Sequence, residues 1–447
     1  MKLPAEFSGR MKAQLGEPAY SHFIESLEQP VPVSVRINPS KFNAKPGLEK
    51  VAWCDSGFYL PSRPIFASDP LWHAGAYYVQ EASSMIIELA FRKLRSAIQG
   101  PLKVLDLCAA PGGKSTHLAS MLGDDDILVS NEVIRSRVSV LAENLTKHGY
   151  PNTIITNADS QDFAALGGIF DVVLVDAPCS GEGLFRKDPG AVDEWSPDNV
   201  NTCELRQKRI LDNIIGCLKS GGYLIYSTCT YNPGENTEQV DRLAAQGFEK
   251  VPIADGDAEI QCYPHLVRGE GFYLALLRKT GDDEKVQNRI TASKYKPLKP
   301  VAEISALLTT ENPVFEYGEN VYAIPRHVYE FYAGQMPGIP CYRVGMEVGV
   351  YKDKTFFPSE FLPFSGIFNR KALPARDLSH GEALSYLSRQ ALPYKSNEKG
   401  YTVMEFMGVP IGLGKYAGNR INNLFPNEWR LRKQVQAGDW FTLASQA

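Results

Sequence analysis

The chain has 447 residues, of which 44% are hydrophobic, and its formal net charge is −4. This length suggests two to four domains, and the hydrophobic share is that of a globular protein with a large core. No segment reaches the roughly 20 apolar residues of a membrane span, and residues 1–9 lack the apolar centre of a signal peptide. These features argue against a membrane-spanning or secreted protein, so we expect a cytoplasmic one. The acidic balance does not exclude nucleic-acid binding, because a basic groove can lie on a chain of acidic average.

The eight cysteines form no CxxC pair. A structural zinc site is therefore not expected, and neither is a disulfide framework in a long chain without a secretion signal. We predict free thiols, mostly buried, and no metal site.

Residues 1–95 have mixed patterning, with a strand predicted at 31–37 and a helix at 80–94. We interpret them as a small N-terminal α+β domain that recognises the substrate.

From residue 96 to 282 short apolar runs alternate with helical segments. The predicted strands are 103–107, 127–131, 153–157, 170–175, 222–227 and 271–277, the last of them antiparallel. The predicted helices are 115–121, 136–148 and 201–218. This alternation indicates right-handed βαβ units and a mostly parallel sheet with helices on its faces.

A polar, lysine-rich stretch at 281–299 predicts a linker that leads into a middle β-rich domain, 283–373. The last unit, 374–447, has α+β patterning. Its helix is predicted at 378–387, with a capping box formed by Ser379 and Glu382. A hairpin is predicted from 401–407 and 409–415.

A small-residue loop joins the first predicted strand to its helix in the parallel sheet. Open α/β sheets bind ligands at such strand ends, and glycines there let the backbone approach a ligand closely. The spacing matches neither a phosphate P-loop nor a GxGxxG dinucleotide loop. The loop consists of Cys108, Ala109, Ala110, Pro111, Gly112, Gly113 and Lys114.

Two acids follow the next two strands of the sheet. Glu132 follows the second strand, where a carboxylate binds the ribose hydroxyls in nucleotide-binding folds. Asp159 follows the third strand, where a carboxylate can accept a hydrogen bond from an adenine amino group. A site that has carboxylates for ribose and adenine, but no glycine-rich loop that binds phosphates, fits S-adenosylmethionine (SAM). The alternative is that the glycines only form a tight turn and the acids only cap helices.

Two cysteines follow the fourth and fifth strands, Cys179 in Asp176-Ala-Pro-Cys-Ser-Gly-Glu-Gly183 and Cys229 in Ser227-Thr-Cys-Thr230. A lone cysteine is most often a small buried hydrophobe. Two at neighbouring strand ends should instead face the same crevice as the cofactor. A thiolate that adds to C6 of cytosine makes C5 nucleophilic toward a methyl donor, and Asp176 is placed to stabilise the adduct at N3.

These motifs, with Arg36-Ile-Asn38 and Tyr78-Val-Gln-Glu-Ala-Ser-Ser-Met85, resemble the RNA cytosine-C5 methyltransferases of the Sun/Nop/RsmF type. The resemblance covers residues 20–280 and implies a Rossmann-like, SAM-dependent methyltransferase domain. It implies that Cys229 is the nucleophile and that Cys179 assists product release. It places SAM contacts on the Cys108–Lys114 loop, Glu132, Asp159 and Asp176. The competing pattern of DNA cytosine methyltransferases would make Cys179 the nucleophile and leave Cys229 without a role.

The C-terminal segment resembles the PUA-like RNA-binding module of the RsmF subgroup. The resemblance rests on Gly412-Leu-Gly-Lys415, Gly418-Asn-Arg-Ile421, Asn423-Leu-Phe-Pro-Asn427 and the basic run that follows Trp429. Leu424 and Phe425 depart from the more usual His-Tyr at that place. The resemblance implies methylation of a cytosine in small-subunit (16S) ribosomal RNA, with the rRNA or the small subunit as partner of a monomeric enzyme.

RNA contacts are expected from basic residues in these motifs, because lysine and arginine supply most phosphate contacts. For the Arg186-Lys187 pair a salt bridge within the loop is an equal alternative. The expected contacts are Arg36, Arg186, Lys187, Lys415 and Arg420. The alternative functions are a tRNA methyltransferase of the same family and a non-catalytic RNA-binding factor of ribosome assembly.

Overall fold

The structure is a computed structural model that describes residues 2–42, 47–254, 256–281, 293–299, 301–309, 312–336, 338–395, 397–432, 435 and 437–446. The predicted linker at 281–299 lies largely outside these residues.

The N-terminal unit consists of a three-stranded antiparallel sheet and four helices. Its helices are α1 Ala5–Leu15, α2 Glu17–Leu27, α3 Pro70–His73 and α4 Ile87–Ala97. Its strands are β1 Val33–Ile37, β2 Gly57–Leu60 and β3 Tyr77–Val79, in the order β2-β1-β3. The strand predicted at 31–37 is confirmed as β1, two residues shorter.

The helix predicted at 80–94 starts later than expected, at Ile87, after a 3₁₀ turn over Ser83–Ile86. The cause is the Glu81 carboxylate, which accepts the backbone N–H groups of Ser83 and Ser84, each at 2.9 Å. It also accepts the N–H of Glu270 at 2.9 Å, which ties this turn to residues 96–282, the predicted methyltransferase domain, called the catalytic unit below.

The catalytic unit is built on a mixed sheet of nine strands in the order β10-β11-β8-β7-β4-β5-β6-β15, with β9 paired to β11. The strands up to β11 are β4 Lys103–Asp106, β5 Ile127–Asn131, β6 Thr153–Thr156, β7 Phe170–Asp176, β8 Leu218–Thr228, β9 Phe248–Lys250, β10 Glu259–Cys262 and β11 Phe272–Lys279. The pairs among β4, β5, β6, β7 and β8 are parallel, and β11 runs antiparallel to β8. The α/β sheet with an antiparallel last strand is confirmed.

Six helices connect these strands. They are α5 Gly113–Met121, α6 Arg135–His148, α7 Ser160–Ala164, α8 Pro189–Glu194, α9 Pro197–Ile214 and α10 Thr237–Ala245. The helix predicted at 201–218 begins four residues earlier as α9, because Ser196 caps it by accepting the N–H of Asn199 and Pro197 occupies its first turn. Among the described helices, none has the length and apolar character to cross a membrane.

The segment after the linker contributes to two sheets. Its elements are β12 Lys296–Pro297, α11 Ala302–Ala306, β13 Val314–Tyr317, β14 Asn320–Ala323, α12 Arg326–Gln335, β15 Cys341–Val344, β16 Met346–Lys352 and β17 Thr355–Pro358. Five of its strands form a sheet in the order β12-β13-β14-β16-β17, whereas β15 pairs antiparallel with β6 of the catalytic sheet. Tyr322, Val328 and Phe331 belong to the same hydrophobic cluster as Phe170 and Leu218. This segment therefore shares its core with the catalytic unit.

The C-terminal unit has a five-stranded sheet in the order β18-β20-β21-β22-β19. Its elements are β18 Ala375–Asp377, α13 His380–Leu387, β19 Leu392–Pro393, β20 Tyr401–Phe406, β21 Val409–Tyr416 and β22 Arg420–Asn423. The capping box of Ser379 and Glu382 and the β20–β21 hairpin are confirmed. Leu378 and Tyr386 pack in one cluster with Val35 and Tyr77, so the unit rests on the N-terminal sheet.

Gly149 provides a test of the contact between the catalytic unit and the segment after β17. It ends α6 with φ +84°, and a Cβ there would lie 2.1 Å from the carbonyl oxygen of Phe364. Gly100 has φ +82° with no atom within 4 Å of its Cβ position. We expect Gly149→Ala to lower the free energy of unfolding by about 2–4 kcal/mol and Gly100→Ala by about 1 kcal/mol in denaturant titrations. Equal losses would show that the approach to Phe364 is not tight.

Candidate active site

A cavity of about 520 Å³ opens at the carboxyl ends of β4, β5, β7 and β8. This is where open α/β sheets bind ligands. The structure brings seven of the predicted site residues together in its lining: Cys108, Ala110, Glu132, Asp159, Asp176, Cys179 and Cys229. Ala109, Pro111, Gly112, Gly113 and Lys114 lie in the same loop but not among the lining residues.

The predicted cofactor loop turns sharply from β4 into α5. Gly112 adopts φ +111°, and its Cβ position lies 3.3 Å from the Cβ of Asn144 on α6. The N–H of Ala109 donates to the carbonyl oxygen of Asn131 at 2.8 Å, which fixes the loop beside the end of β5. Gly112 therefore allows a tight turn, which was one of the two interpretations of the loop glycines. The loop that contains it also borders the cavity.

The two predicted acids face the cavity in different ways. Glu132 is buried; its Oε1 accepts the N–H of Ile134 at 2.8 Å, and its Oε2 lies 3.4 Å from the Nη1 of Arg137. Asp159 caps α7 in a capping box, and 41% of its side chain is exposed. Capping and cavity lining are therefore not alternatives for Asp159, because one carboxylate does both.

The thiols of Cys179 and Cys229 meet at the edge of the cavity. Their Sγ atoms are 2.9 Å apart, and the backbone N–H of Cys229 donates to the Sγ of Cys179 at 3.2 Å. The contact with the Cys229 thiol, followed by burial, raises the pKa of Cys179 well above its usual value. Cys179 is therefore held as a thiol next to Cys229.

Asp176 lies at the end of β7 and joins the cysteines to the cofactor loop. Its Oδ2 is 2.7 Å from the Nζ of Lys114, and its Oδ1 accepts the hydroxyl of Ser227 at 2.9 Å. Burial opposes the charge on Lys114, but attraction to Asp176 outweighs it, so the pKa of Lys114 is raised. Lys114 therefore remains a cation and orients the Asp176 carboxylate.

Asp106, at the end of β4, was not predicted as a site residue. It is fully buried, and its Oδ2 accepts the hydroxyl of Ser115 at 2.6 Å. Burial raises its pKa to about 7. The signal in the sequence was an acid inside an apolar strand, which is rare unless the carboxyl has a specific partner.

Two of the predicted RNA contacts are corrected by the structure. Arg36 has no exposed surface; it donates to the Oε1 of Gln80 at 2.8 Å and to the hydroxyl of Thr116 at 2.7 Å. Arg186 has 5% of its side chain exposed and forms an ion pair with Glu270 at 2.7 Å. Both therefore join parts of the protein interior, and the salt-bridge interpretation is right for Arg186.

Lys187, Lys415 and Arg420 are exposed, as an RNA contact requires. Three further arginines line the cavity and were missed: Arg137, Arg206 and Arg209. The spacing of Arg206 and Arg209 could have indicated these two, because it puts them on one face of the predicted helix 201–218.

Three family models match the chain. Residues 97–278 match "16S rRNA methyltransferase RsmB/F", residues 3–82 match "N-terminal domain of 16S rRNA methyltransferase RsmF", and residues 374–431 match "Methyltransferase RsmF PUA domain". Ribosomal RNA small subunit methyltransferase F of Aliivibrio fischeri strain MJ11 is 32% identical, over 93% of this chain and 96% of that protein. The chain belongs to the RsmF family of methyltransferases. The resemblance drawn from the motifs and the fold class, including the C-terminal PUA domain, are confirmed.

Two solved structures share the fold of this RsmF family member. A methyltransferase homologue from Pyrococcus horikoshii has a TM-score of 0.50 at 28% identity and covers 59% of this chain and 91% of that one. NSun6 from the same organism, solved with SFG, has a TM-score of 0.53 at 20% identity and covers 62% of this chain and 99% of that one. Each of the two leaves more than a third of this RsmF family member uncovered.

A separate buried cluster in this RsmF family member joins Cys54, Glu88 and His117. Their potential metal-ligand atoms lie within 4.8 Å of one another among the described residues. The Nε2 of His117 is 2.9 Å from the Oε2 of Glu88 and 3.7 Å from the Sγ of Cys54. The prediction of no metal site was made from CxxC spacing alone, a pattern that would not find this group.

Asp106 should make the stability of the enzyme depend on pH. Its folded pKa of about 7 lies above the ordinary aspartate value of 3.8, so the folded state binds more protons between these values. Unfolding free energy should therefore fall as pH rises from 4 to 7, by at most about 1.4 kcal/mol per pH unit. Denaturant titrations of wild type and Asp106→Asn across this range should show a steeper fall in wild type, because Asp69 and the other buried carboxyls titrate in both proteins. Parallel curves would mean that Asp106 ionises normally.

Proposed function

We propose that this protein transfers a methyl group from SAM to carbon 5 of a cytosine in 16S ribosomal RNA. The observation that carries the proposal is the meeting of two thiols, with Sγ atoms 2.9 Å apart, at the edge of the cavity that Asp176 also lines. The name of the matching family, 16S rRNA methyltransferase RsmB/F, supports the RNA substrate.

The cavity suits SAM in size and in chemistry. Its volume of about 520 Å³ lies within the range of small-molecule sites. Glu132 and Asp159 offer carboxylates to ribose and adenine, and the exposed apolar side chains of Val133 and Ile134 lie beside them. The structural neighbour NSun6 was solved with SFG, a SAM analogue. When bound, SAM supplies an electrophilic methyl group.

Cys229 is proposed as the nucleophile. Its thiolate adds to C6 of the cytosine, which moves electron density to C5 and makes that carbon reactive. Asp176, held by Lys114 and Ser227, stabilises the N3 side of the adduct. The cytosine must leave its stack to reach the cavity, which costs least in a loop or single strand.

Cys179 is proposed to assist release. After methyl transfer the C5 proton passes to solvent water, the C5–C6 double bond forms again, and the C6–S bond breaks to return the Cys229 thiolate. Cys179, whose pKa is raised, keeps its proton and donates a hydrogen bond to the departing sulfur, which stabilises the negative charge that forms there.

The cysteine roles can be separated with radiolabelled SAM and small ribosomal subunits. Wild type should form 5-methylcytidine, Cys229→Ala should lose at least about 10³-fold in rate, as for loss of a nucleophile, and Cys179→Ala should accumulate a covalent RNA adduct. Nucleoside analysis and denaturing gels measure the two outcomes, and Cys341→Ala serves as control.

An active Cys229→Ala with a dead, adduct-free Cys179→Ala would reverse the two roles. If wild type methylates only tRNA, the proposed chemistry stands, and the substrate is tRNA instead of 16S rRNA. RNA binding without any methyl transfer by wild type would favour the non-catalytic assembly factor.

Lys415 and Arg420 are proposed to bind RNA phosphates from the PUA domain. Both are exposed, and the Nζ of Lys415 lies 5.1 Å from the centre of the Tyr401 ring. We expect each alanine variant to weaken rRNA binding by about 3–10-fold and to reduce the salt slope of log K by about 1. Filter binding at several salt concentrations measures both. Lys93→Ala, on α4, is the control, and an unchanged slope in both variants would exclude these contacts.

A further inference from the structure

Two adjacent buried residues, Glu235 and Asn236, follow strand β8 and hold the loops that carry the active-site cysteines. Asn236 contacts the chain on both sides of Cys229, whereas Glu235 contacts one side of Cys179 directly and the other side through Gln207. We infer that Glu235 positions Cys179 for release and that Asn236 independently positions Cys229 for addition. This inference rests on the proposed function and assigns the two residues to different steps of it.

Glu235 fixes the loop that carries Cys179. Its Oε2 accepts the backbone N–H of Ser180, the next residue, at 2.8 Å, and its Oε1 accepts the Ser180 hydroxyl. Its Oε2 also accepts from the Nε2 of Gln207 at 3.0 Å, and that same nitrogen donates to the carbonyl oxygen of Pro178 at 3.1 Å. Residues 178 and 180 are therefore both tied to one carboxylate and its amide partner.

Asn236 fixes the loop that carries Cys229. Its Oδ1 accepts the hydroxyl of Thr228 at 2.6 Å, and its Nδ2 donates to the carbonyl oxygen of Thr230 at 3.0 Å. The residues on both sides of Cys229 are thus held by one side-chain amide, without participation of Glu235.

One of the hydrogen bonds that link the two loops joins the hydroxyls of Ser180 and Thr230 at 2.9 Å. All these groups are buried, with relative exposures of 0% for Glu235 and Gln207 and 2% for Asn236. Buried side chains that are hydrogen-bonded in this way hold a defined geometry. Neither residue lines the cavity, so each acts through a cysteine loop rather than on the substrate.

The assignment predicts opposite kinetic effects for two nearly isosteric changes. Glu235→Gln removes one acceptor from the Cys179 loop, whereas Asn236→Asp replaces the donor to Thr230 by an oxygen. We expect Glu235→Gln to raise the ratio of adduct to released RNA about 10-fold, with single-turnover methyl transfer within about 2-fold of wild type. We expect Asn236→Asp to slow adduct formation about 10-fold at an unchanged ratio.

The experiment uses full-length enzyme, SAM and 16S rRNA, with adduct and released methylated RNA measured on denaturing gels. RNA that contains 5-fluorocytidine isolates addition, because its C5 has no proton to remove. Glu238→Gln, an exposed position on α10, is the matched control. If either variant fails to fold by circular dichroism, Ser180→Ala replaces Glu235→Gln and Thr228→Val replaces Asn236→Asp.

The outcomes distinguish this inference from the proposed function. Opposite effects of the two variants support it, whereas equal losses in both steps assign the residues to fold stability and overturn it. If Cys179→Ala accumulates adduct but Glu235→Gln does not, the assignment of Glu235 alone is wrong. If Cys179→Ala yields no adduct, the proposed role of Cys179 in release is wrong, and the assignment of Glu235 is wrong with it. If wild type forms no 5-methylcytidine, the proposed function itself is wrong.

Discussion

The active site depends on the parallel pairing of β7 and β8. Asp176 at the end of β7 is in register with Ser227 near the end of β8, and its carboxylate accepts the Ser227 hydroxyl. Cys179 lies three residues beyond Asp176, and Cys229 lies two residues beyond Ser227, so the two thiols lie side by side. Parallel strands place their carboxyl ends at one edge of the sheet, which is why residues 50 positions apart can share one reaction. The same edge receives the loop from β4, and Lys114 of that loop reaches Asp176.

The N-terminal unit is part of the framework of this site rather than a separate RNA-binding attachment. Arg36 on β1 passes into the catalytic unit and donates to Thr116 on α5, the helix that begins in the cofactor loop. Arg186, in the segment that follows the Cys179 loop, contacts Glu270 and the carbonyl oxygen of Ser26. A change of conformation in the N-terminal unit would therefore reach both the loop from β4 and the loop from β7.

Much of this organisation could be predicted from the sequence, because strand–helix alternation fixes which loops lie at the catalytic edge. That rule located the cofactor loop, Glu132, Asp159 and both cysteines without knowledge of the packing. It could not show that Arg36 is buried, because its partners Gln80 and Thr116 lie 44 and 80 residues away. It could not show that β15 extends the catalytic sheet either, since an edge strand contributed from a later segment has no local signal. Glu235 and Asn236 were missed because no motif spacing encodes their hydrogen bonds, which for Glu235 reach Ser180 and Gln207, 55 and 28 residues away.

The structure also reconciles an acidic chain with an RNA substrate. Nine acidic side chains but only three basic ones are buried among the described residues. The buried acids have internal tasks: Glu182 accepts the indole N–H of Trp195, and Glu235 binds the Cys179 loop. Lys415 and Arg420 stay exposed on a PUA domain anchored to the N-terminal unit, where the Asp69 carboxylate accepts the N–H of Leu443. The formal charge of the chain therefore overstates the acidity of its surface, because many of its acids lie in the interior of the protein.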